Sequence, residues 1–401
     1  MKVQTAHLSE YSRPWPVAVG SRKGMRKGWL LNLFDAQGGM SRGEAAPLPP
    51  FTEENHDDCG KLLAQLVAPG SSIYDRVFET VDDISEWIEG CGPCNTAKHA
   101  LEQALLCLLA RSQGRDVGEL FTDHLAPIVH SHALVETPAE ALAAVVRGHH
   151  ALKVKVGGIP AVDARDRIRE IRKQVGPHAR LRIDANQGWT YEEALSVIRG
   201  GPELGIEFVE EPLKDATTEE LVRLHAETGT ALACDESVRT LEALNEVISS
   251  GAFQVLVIKP MFVGGIIASL ALAKRATEAG MKIVVTTALD GDIALAHSQL
   301  CARLCPAEAL LACGLHPTSS TSHGAPTVDP EVSIPHPLVA AASARPDHNA
   351  LVADNGSWSY SDLSRNVAKR ATGLRLAGIL PGQRVALALE RTYESLLDFW
   401  A

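Results

Sequence analysis

Ala151-Leu152-Lys153-Val154-Lys155 is a short apolar run closed by lysine, and the same event recurs at regular intervals down the chain. From Lys155 the steps to Asp184, Glu210, Asp235 and Lys259 are 29, 26, 25 and 24 residues, and each charged residue closes its own apolar run. A strand, a loop, a helix and a return loop need about this length, so the spacing is that of a repeated βα unit. Successive parallel strands then carry their charged residues at their C-terminal ends, which share one mouth in a closed barrel. Acids and amines crowded into one pocket are costly unless a cation neutralises the acids and the amines take part in chemistry.

Working outward, strands are expected at 130–135, 151–156, 179–184, 206–210, 231–235, 253–259, 281–287 and 310–315, with amphipathic helices such as 161–175 and 191–199 between them. The fold class is α/β: a modified (β/α)7β TIM-type barrel whose final helix is missing or altered. An open doubly wound sheet is the weaker alternative, because no Gly-rich phosphate turn follows the first strand. Residues 1–125 lack the rhythm and read as an α+β capping domain. Strands are expected there at 17–19 and 29–34, a turn at Gly38-Gly39, and helices around 54–68, 80–90 and 95–111. The barrel is assigned to 126–315 and a linker to 316–333, where Ser, Thr, Pro and Gly concentrate. Residues 334–401 form a partial C-terminal domain, with a strand at 350–353, a turn at Asn355-Gly356, a helix over 361–377 and a strand over 384–389. The chain reaches residue 401 inside an expected helix, 394–401, so a further part of that domain is expected beyond it.

With 401 residues, 45% hydrophobic and 22% charged, the chain can bury a large core in two or three domains. Its net charge of -11 gives no attraction for nucleic-acid phosphates or anionic membranes. No run of 18 apolar residues occurs and the N-terminal residues have no apolar signal core, so a cytoplasmic location is expected. Cys91-Gly92-Pro93-Cys94 has redox-pair spacing, but residues 85–90 before it read as a helix end and not a strand. A tight turn opening the next helix is expected, with a reactive thiol pair as the alternative.

Asp184, Glu210 and Asp235 offer three hard oxygen ligands from neighbouring strands, the set that suits Mg²⁺ or Mn²⁺. A cation held there would polarise a substrate carboxylate and ease loss of the proton on the adjacent carbon. Lys155, one strand before the first acid, and Lys259, one strand after the last, would flank it from opposite sides as candidate acid and base. Lys153 shares the inward side of the strand with Lys155, and Arg182 shares that of Asp184. Arg182 is expected either to support the ligand geometry or to form an ion pair in the barrel core.

Lys153-Val154-Lys155, Asp184-Ala185-Asn186, Val209-Glu210-Glu211-Pro212, Asp235-Glu236-Ser237 and Ile258-Lys259-Pro260 together resemble the muconate-lactonizing subgroup of the enolase superfamily, over about residues 1–330. The resemblance implies a capping domain on a (β/α)7β barrel, Mg²⁺ on Asp184, Glu210 and Asp235, and Lys155 and Lys259 as the acid/base pair. Glu210 is preferred to Glu211 as ligand because the second position is often Gln in the family. Segments 12–27 and 47–53 are expected to close over the substrate. The His of the mandelate-racemase subgroup has no counterpart in 281–292, and 310–316 carries none of the acids with which dipeptide epimerases hold an ammonium. Thr286-Thr287-Ala288-Leu289-Asp290 resembles the matching segment of o-succinylbenzoate synthases, which makes Thr287 and Asp290 candidate substrate-binding or supporting residues, with Asn186 of the Asp184-Ala185-Asn186 motif beside them.

The tail, from His336-Pro337-Leu338 through Leu380-Pro381-Gly382-Gln383-Arg384, resembles the start of an adenylate-forming acyl-CoA synthetase without its phosphate loop. An o-succinylbenzoyl-CoA ligase acts after o-succinylbenzoate synthase in menaquinone synthesis, so the join implies functional coupling to such a domain. The implied activity is dehydration of 2-succinyl-6-hydroxy-2,4-cyclohexadiene-1-carboxylate, a small-molecule carboxylate. N-succinylamino acid racemization and a non-catalytic docking module are the alternatives.

Overall fold

The computed structural model describes residues 1–14, 24–126, 129–315, 345–353 and 356–367. They fall into two compact units, Met1–Thr318 and Ser319–Ala401. The first opens with an antiparallel sheet of β1 (Val3–Pro14), β2 (Met25–Asp35) and β3 (Met40–Ala45), in the order β1-β2-β3. β1 and β2 pair from Val3↔Asp35 to Pro14↔Met25. β1 is not among the strands expected from sequence: its polar residues face solvent and leave no apolar run to read. The strand expected at 17–19 lies outside the described residues.

Three helices cover this sheet: α1 (His56–Leu66), α2 (Val81–Glu89) and α3 (Asn95–Ser112). Asn55 caps α1 by accepting from the Asp58 N–H, and Thr80 and Asp83 make a reciprocal capping box on α2. α3 is buried on nearly every face and lies so close to β3 that a Cβ at Gly43 would fall 1.8 Å from the Ala100 carbonyl oxygen. Only glycine permits that approach. Cys94 precedes α3 as its N-cap, and all eight cysteines are free. The Cys91 thiol donates to the Trp87 carbonyl (3.3 Å) and burial raises it to about 11, while Cys94 bonds to Cys59 and Thr96. Cys91 and Cys94 thus each have separate partners in a turn.

The alternating region follows as β4 (Ala133–Val135), α4 (Pro138–Val146), β5 (Ala151–Lys155), α5 (Ala161–Val175), β6 (Arg180–Asp184), α6 (Tyr191–Ile198), β7 (Ile206–Glu210) and α7 (Thr218–Thr228). It continues as β8 (Leu232–Cys234), α8 (Leu241–Ser250), β9 (Val255–Ile258), the short α9 (Pro260–Val263), α10 (Ile266–Glu278), β10 (Lys282–Val285) and α11 (Asp292–Leu304). Thr137, Thr190 and Thr217 start α4, α6 and α7 with Thr-x-x-Glu capping boxes, each worth about 1 kcal/mol. The seven strands form one parallel sheet in sequence order.

The eighth expected strand, 310–315, makes only isolated bridges, yet it has both neighbours: Leu310 with Ile283, Gly314 with Thr286, and Cys313 with Ser131. The Cys313 N–H donates to His130 and its carbonyl accepts from His132, so this segment closes the ring between β10 and the residues before β4. Phe208, Ala233, Val255, Val257 and Val284 fill the interior, and a larger apolar layer joins strands to helices. The final-helix position lies outside the described residues.

Arg182 is wholly buried in the barrel, where Nε donates to Glu207 (2.6 Å), Nη1 contacts His132 (3.0 Å) and bonds to the Ala312 carbonyl, and the guanidinium lies 4.9 Å from the Phe208 ring centre. It therefore ties β6 and β7 to the closing segment, the core-ion-pair alternative of the two read from sequence. Arg182→Ala leaves Glu207 with Arg180 alone and takes a donor from the Ala312 carbonyl, and is expected to cost about 1–3 kcal/mol of stability, read as a lower denaturant midpoint. An unshifted midpoint would remove that structural role.

Cap and barrel meet at two buried acids. Glu44 accepts from the N–H groups of Gly291 (2.7 Å) and Ala294 (3.1 Å) at the start of α11. Glu102, on α3, accepts from Ile266 and Ile267 at the start of α10 and faces His297 at 3.3 Å. Both acids therefore answer unpaired helix N-terminal donors. Burial lowers His99 and His297 to about 3 and raises Glu102 to about 7. Each histidine is neutral when folded but titrates near 6.5 when unfolded, so its contribution is lost as pH falls below 6.5. Glu102 works in the opposite direction, its contribution being lost as pH rises from its ordinary 4.5 through about 7. Two histidines against one acid predict a lower melting temperature at pH 5 than at pH 7.5, each group counting up to about 1.4 kcal/mol per pH unit. Glu102→Gln should steepen that fall. A shallower fall in the variant would show that Glu102 is not the opposing group.

The second unit shows a hairpin of β11 (Asn349–Ala353) and β12 (Gly356–Ser359), and helix over 360–367 capped by Ser359 with Asp362. The strand and the helix start agree with expectation; of the expected turn, Asn355 lies outside the described residues and Gly356 opens β12. The expected linker 316–333, strand 384–389 and helix 394–401 lie outside the described residues. Among the described residues no helix is long and apolar enough to cross a membrane.

Candidate active site

The parallel register sets the charged residues side by side: Lys155 pairs with Asp184, and Asp184 with Glu210, on adjacent strands. Asp235 follows β8 directly, and Lys259 follows β9 as the N-cap of α9. Asp184, Glu210 and Asp235 are 1%, 2% and 6% exposed, so their charges depend on one another and not on water. Lys153 Nζ lies 2.9 Å from Asp184 Oδ2 and 2.7 Å from Glu210 Oε2. Lys259 donates to Asp235 Oδ2.

Burial opposes the charge on Lys153 and Lys259, but the neighbouring acids outweigh it and hold both above the usual lysine range. Lys155 differs. Its side chain is half-buried, and among the described residues its ammonium has neither a hydrogen bond nor an ion pair. Burial, together with the charges of Lys153 and Lys259, lowers it against the pull of Asp184 and Glu210. The cluster thus holds two fixed cations and one uncommitted amine.

Asp235 lies within hydrogen-bonding reach of Glu210, whose Oε1 is buried and receives no donor. Burial and Asp184 raise Glu210 to about 8. Two acids this close need a proton or a cation between them. Glu211 turns away and accepts from Asp235 N, Ser237 N and Ser237 Oγ. Asn186 sits beside Asp184, its N–H donating to Oδ1 at 3.2 Å. Asn186, Gln187 and Glu211 have φ of 45°, 54° and 40°, a left-handed backbone that is strained for such residues and clusters here at the strand ends.

Thr287 is half-buried after β10. Asp290 accepts from Ala288 N (3.1 Å) and is buried; burial raises it to about 6 while the charge of Arg26 pulls it down. Arg26 in turn bonds to the Ala46, Pro47 and Ala288 carbonyls. Asp290 is thereby drawn into the cap–barrel junction. Leu48 and Phe51, in the segment expected to cover the substrate, pack with Met261 and Phe262 just beyond Lys259. Neither Arg26 nor Glu44, which shape this junction, stands out in the sequence, where Arg26 falls only within the 12–27 segment expected to cover the substrate.

Residues 136–345 match the family model for the enolase C-terminal domain-like proteins. An L-Ala-D/L-Glu epimerase of Clostridium acetobutylicum is 32% identical over 298 residues, covering 72% of this chain and 82% of the relative. The chain belongs to the enolase superfamily. An o-succinylbenzoate synthase of Thermobifida fusca is 35% identical over 165 residues, 41% of this chain and 50% of the relative. The crystal structure of a dipeptide epimerase from Enterococcus faecalis V583, complexed with Mg and the dipeptide L-Leu-L-Tyr, covers 79% of this chain and 90% of its own, with a TM-score of 0.69 and 22% identity. That likeness establishes the enolase-superfamily fold, with the barrel and its antiparallel cap. Residues 338–401 match the AMP-binding enzyme family in part.

Among the described residues no group of three or more His, Cys, Asp and Glu side chains is arranged to hold a metal ion as placed. The ammonium groups of Lys153 and Lys259 stand against the carboxylate oxygens instead. The donor set still fits a hard divalent cation: three buried acids at neighbouring strand ends, one with an oxygen that lacks a donor.

Proposed function

We propose that this enolase-superfamily chain is an o-succinylbenzoate synthase, which removes water from 2-succinyl-6-hydroxy-2,4-cyclohexadiene-1-carboxylate. Mg²⁺, or Mn²⁺ in its place, would be held by Asp184, Glu210 and Asp235 and would supply positive charge against the substrate carboxylate. Lys155 takes the proton from the carbon beside that carboxylate and gives it to the departing hydroxyl, so that water leaves and the ring becomes aromatic. Lys259, kept cationic by Asp235, faces the ring from the other side and stabilises the negative charge that develops. Lys153 holds Asp184 and Glu210 together. The barrel would occupy 126–315 under a cap at 1–125, joined by a linker at 316–333 to a partial acyl-CoA synthetase domain at 334–401.

The observation that carries this reading is the inequality of the lysines: Lys155 is uncommitted while Lys259 is bonded to an acid. A one-sided dehydration needs one base and one cation, whereas racemization asks both lysines to carry protons. The partial match to AMP-binding enzymes adds support, since a carboxylic acid product is what such an enzyme activates. A second reading, racemization or epimerization, is favoured by the epimerase relatives, which match more of the chain than the synthase does. Against a free-amine substrate stands the closing segment 310–315, which has no carboxylate.

Steady-state kinetics with the cyclohexadiene carboxylate, N-succinyl amino acids and dipeptides separates these readings. The highest kcat/KM is expected for the first, and only with Mg²⁺. A dipeptide as best substrate would overturn the synthase assignment.

A further inference from the structure

We propose that Glu211 is a positioning residue that fixes where the Asp235 carboxylate stands. This rests on the reading of Asp235 as a metal ligand. Asp235 lies beyond the sheet: β8 pairs with β7 only through Leu232 and Ala233, and with β9 only through Ala233 and Cys234. No strand register therefore sets the position of Asp235. Glu211 supplies what the ladder does not. Its Oε1 accepts from both Asp235 N (2.8 Å) and Ser237 N (3.0 Å), wrapping the turn around one oxygen, and its Oε2 accepts from Ser237 Oγ (2.8 Å).

The same residue reaches the first acid. Its carbonyl accepts from Gln187 N at 2.7 Å, one residue past Asn186, whose own N–H holds Asp184 Oδ1. One residue thus links the end of β6, its own strand end and the turn after β8, the three places that carry Asp184, Glu210 and Asp235. A φ of 40° at Glu211 is unfavourable for a side chain of this kind, and the surrounding bonds hold it there. Three donors of the 235–237 turn hold the Glu211 carboxylate against that turn, so it acts through Asp235.

The test is Mn²⁺ binding to the full chain, by calorimetry and by the electron paramagnetic resonance of free Mn²⁺, for wild type, Glu211→Gln, Glu211→Asp and Glu211→Ala. Circular dichroism checks the fold of each. Glu211→Ala should weaken binding about 10- to 100-fold, the usual effect of losing a group that orients a metal ligand. Glu211→Asp keeps the charge but cannot span both amides, so it should also weaken binding, and it serves if the alanine variant does not fold. Glu211→Gln keeps an oxygen for the two amides and should stay within a few-fold of wild type. Wild-type affinity in the Asp and Ala variants would overturn the positioning role alone. Failure of the wild-type chain to bind Mn²⁺ would overturn the metal reading of Asp235 and this role with it.

Discussion

Asp184→Asn, Glu210→Gln and Asp235→Asn should each lower turnover by on the order of a thousand-fold or more, because a bound divalent cation supplies several kcal/mol of charge stabilisation. Each amide keeps the size of the side chain but loses the charge that a hard cation needs. The fold should persist, since the three acids lie at strand ends and outside the apolar layer that joins strands to helices. Burial and the charge of Asp184 raise the Glu210 carboxyl, so Glu210→Gln should melt close to the metal-free wild type, whereas Asp235→Asn takes the acid from the Lys259 ammonium and should melt lower. Mg²⁺ should raise the wild-type melting temperature by mass action and leave the variants unmoved, and a chelator should reproduce their loss of activity. Full activity and a normal Mg²⁺ shift in any one variant would take that residue out of the ligand set.

The parts of this protein legible in its sequence are those that repeat. A βα unit stamps its length on the chain, so Lys155, Asp184, Glu210, Asp235 and Lys259 could be placed at strand ends, and the register sets Lys155, Asp184 and Glu210 in one row. What escaped lacks a period. β1 shows no apolar face, whereas the closing segment 310–315 was legible by its place in the repeat, and only its scattered bridges in place of a regular ladder were not. Glu44 and Glu102 bond to backbone N–H groups 247 and 164 residues away, and a backbone donor carries no residue identity to recognise. The one available signal was Glu102 itself, an acid midway along a helix with a wide apolar face, where only a buried partner could stabilise it. Lys153 illustrates a different limit. Alternation placed it inside, but only the structure brings its ammonium between Asp184 and Glu210.

Lys155→Ala should abolish exchange of the proton beside the substrate carboxylate, because the other two amines of the cluster are bonded to acids and held above the usual lysine range. Lys259 tests the direction of the chemistry. If the reaction is a one-sided dehydration, Lys259 need only remain a cation, and Lys259→Arg should retain more activity than Lys259→Ala, although the guanidinium is bulkier and forked where the ammonium is compact. Arginine cannot act as a base at neutral pH, so any reaction that takes a proton from the Lys259 side must fail in both variants. Measured side by side, Lys259→Arg should therefore spare dehydration of the cyclohexadiene carboxylate more than racemization of an N-succinyl amino acid. The comparison is internal, since misfit of the guanidinium affects both reactions in the same pocket and cancels from their ratio. Equal losses would make Lys259 an obligatory proton carrier and end its assignment as a charge stabiliser. A selective loss of racemization would instead place the two lysines in the unequal roles that their partners already suggest: Asp235 on one and, among the described residues, none on the other.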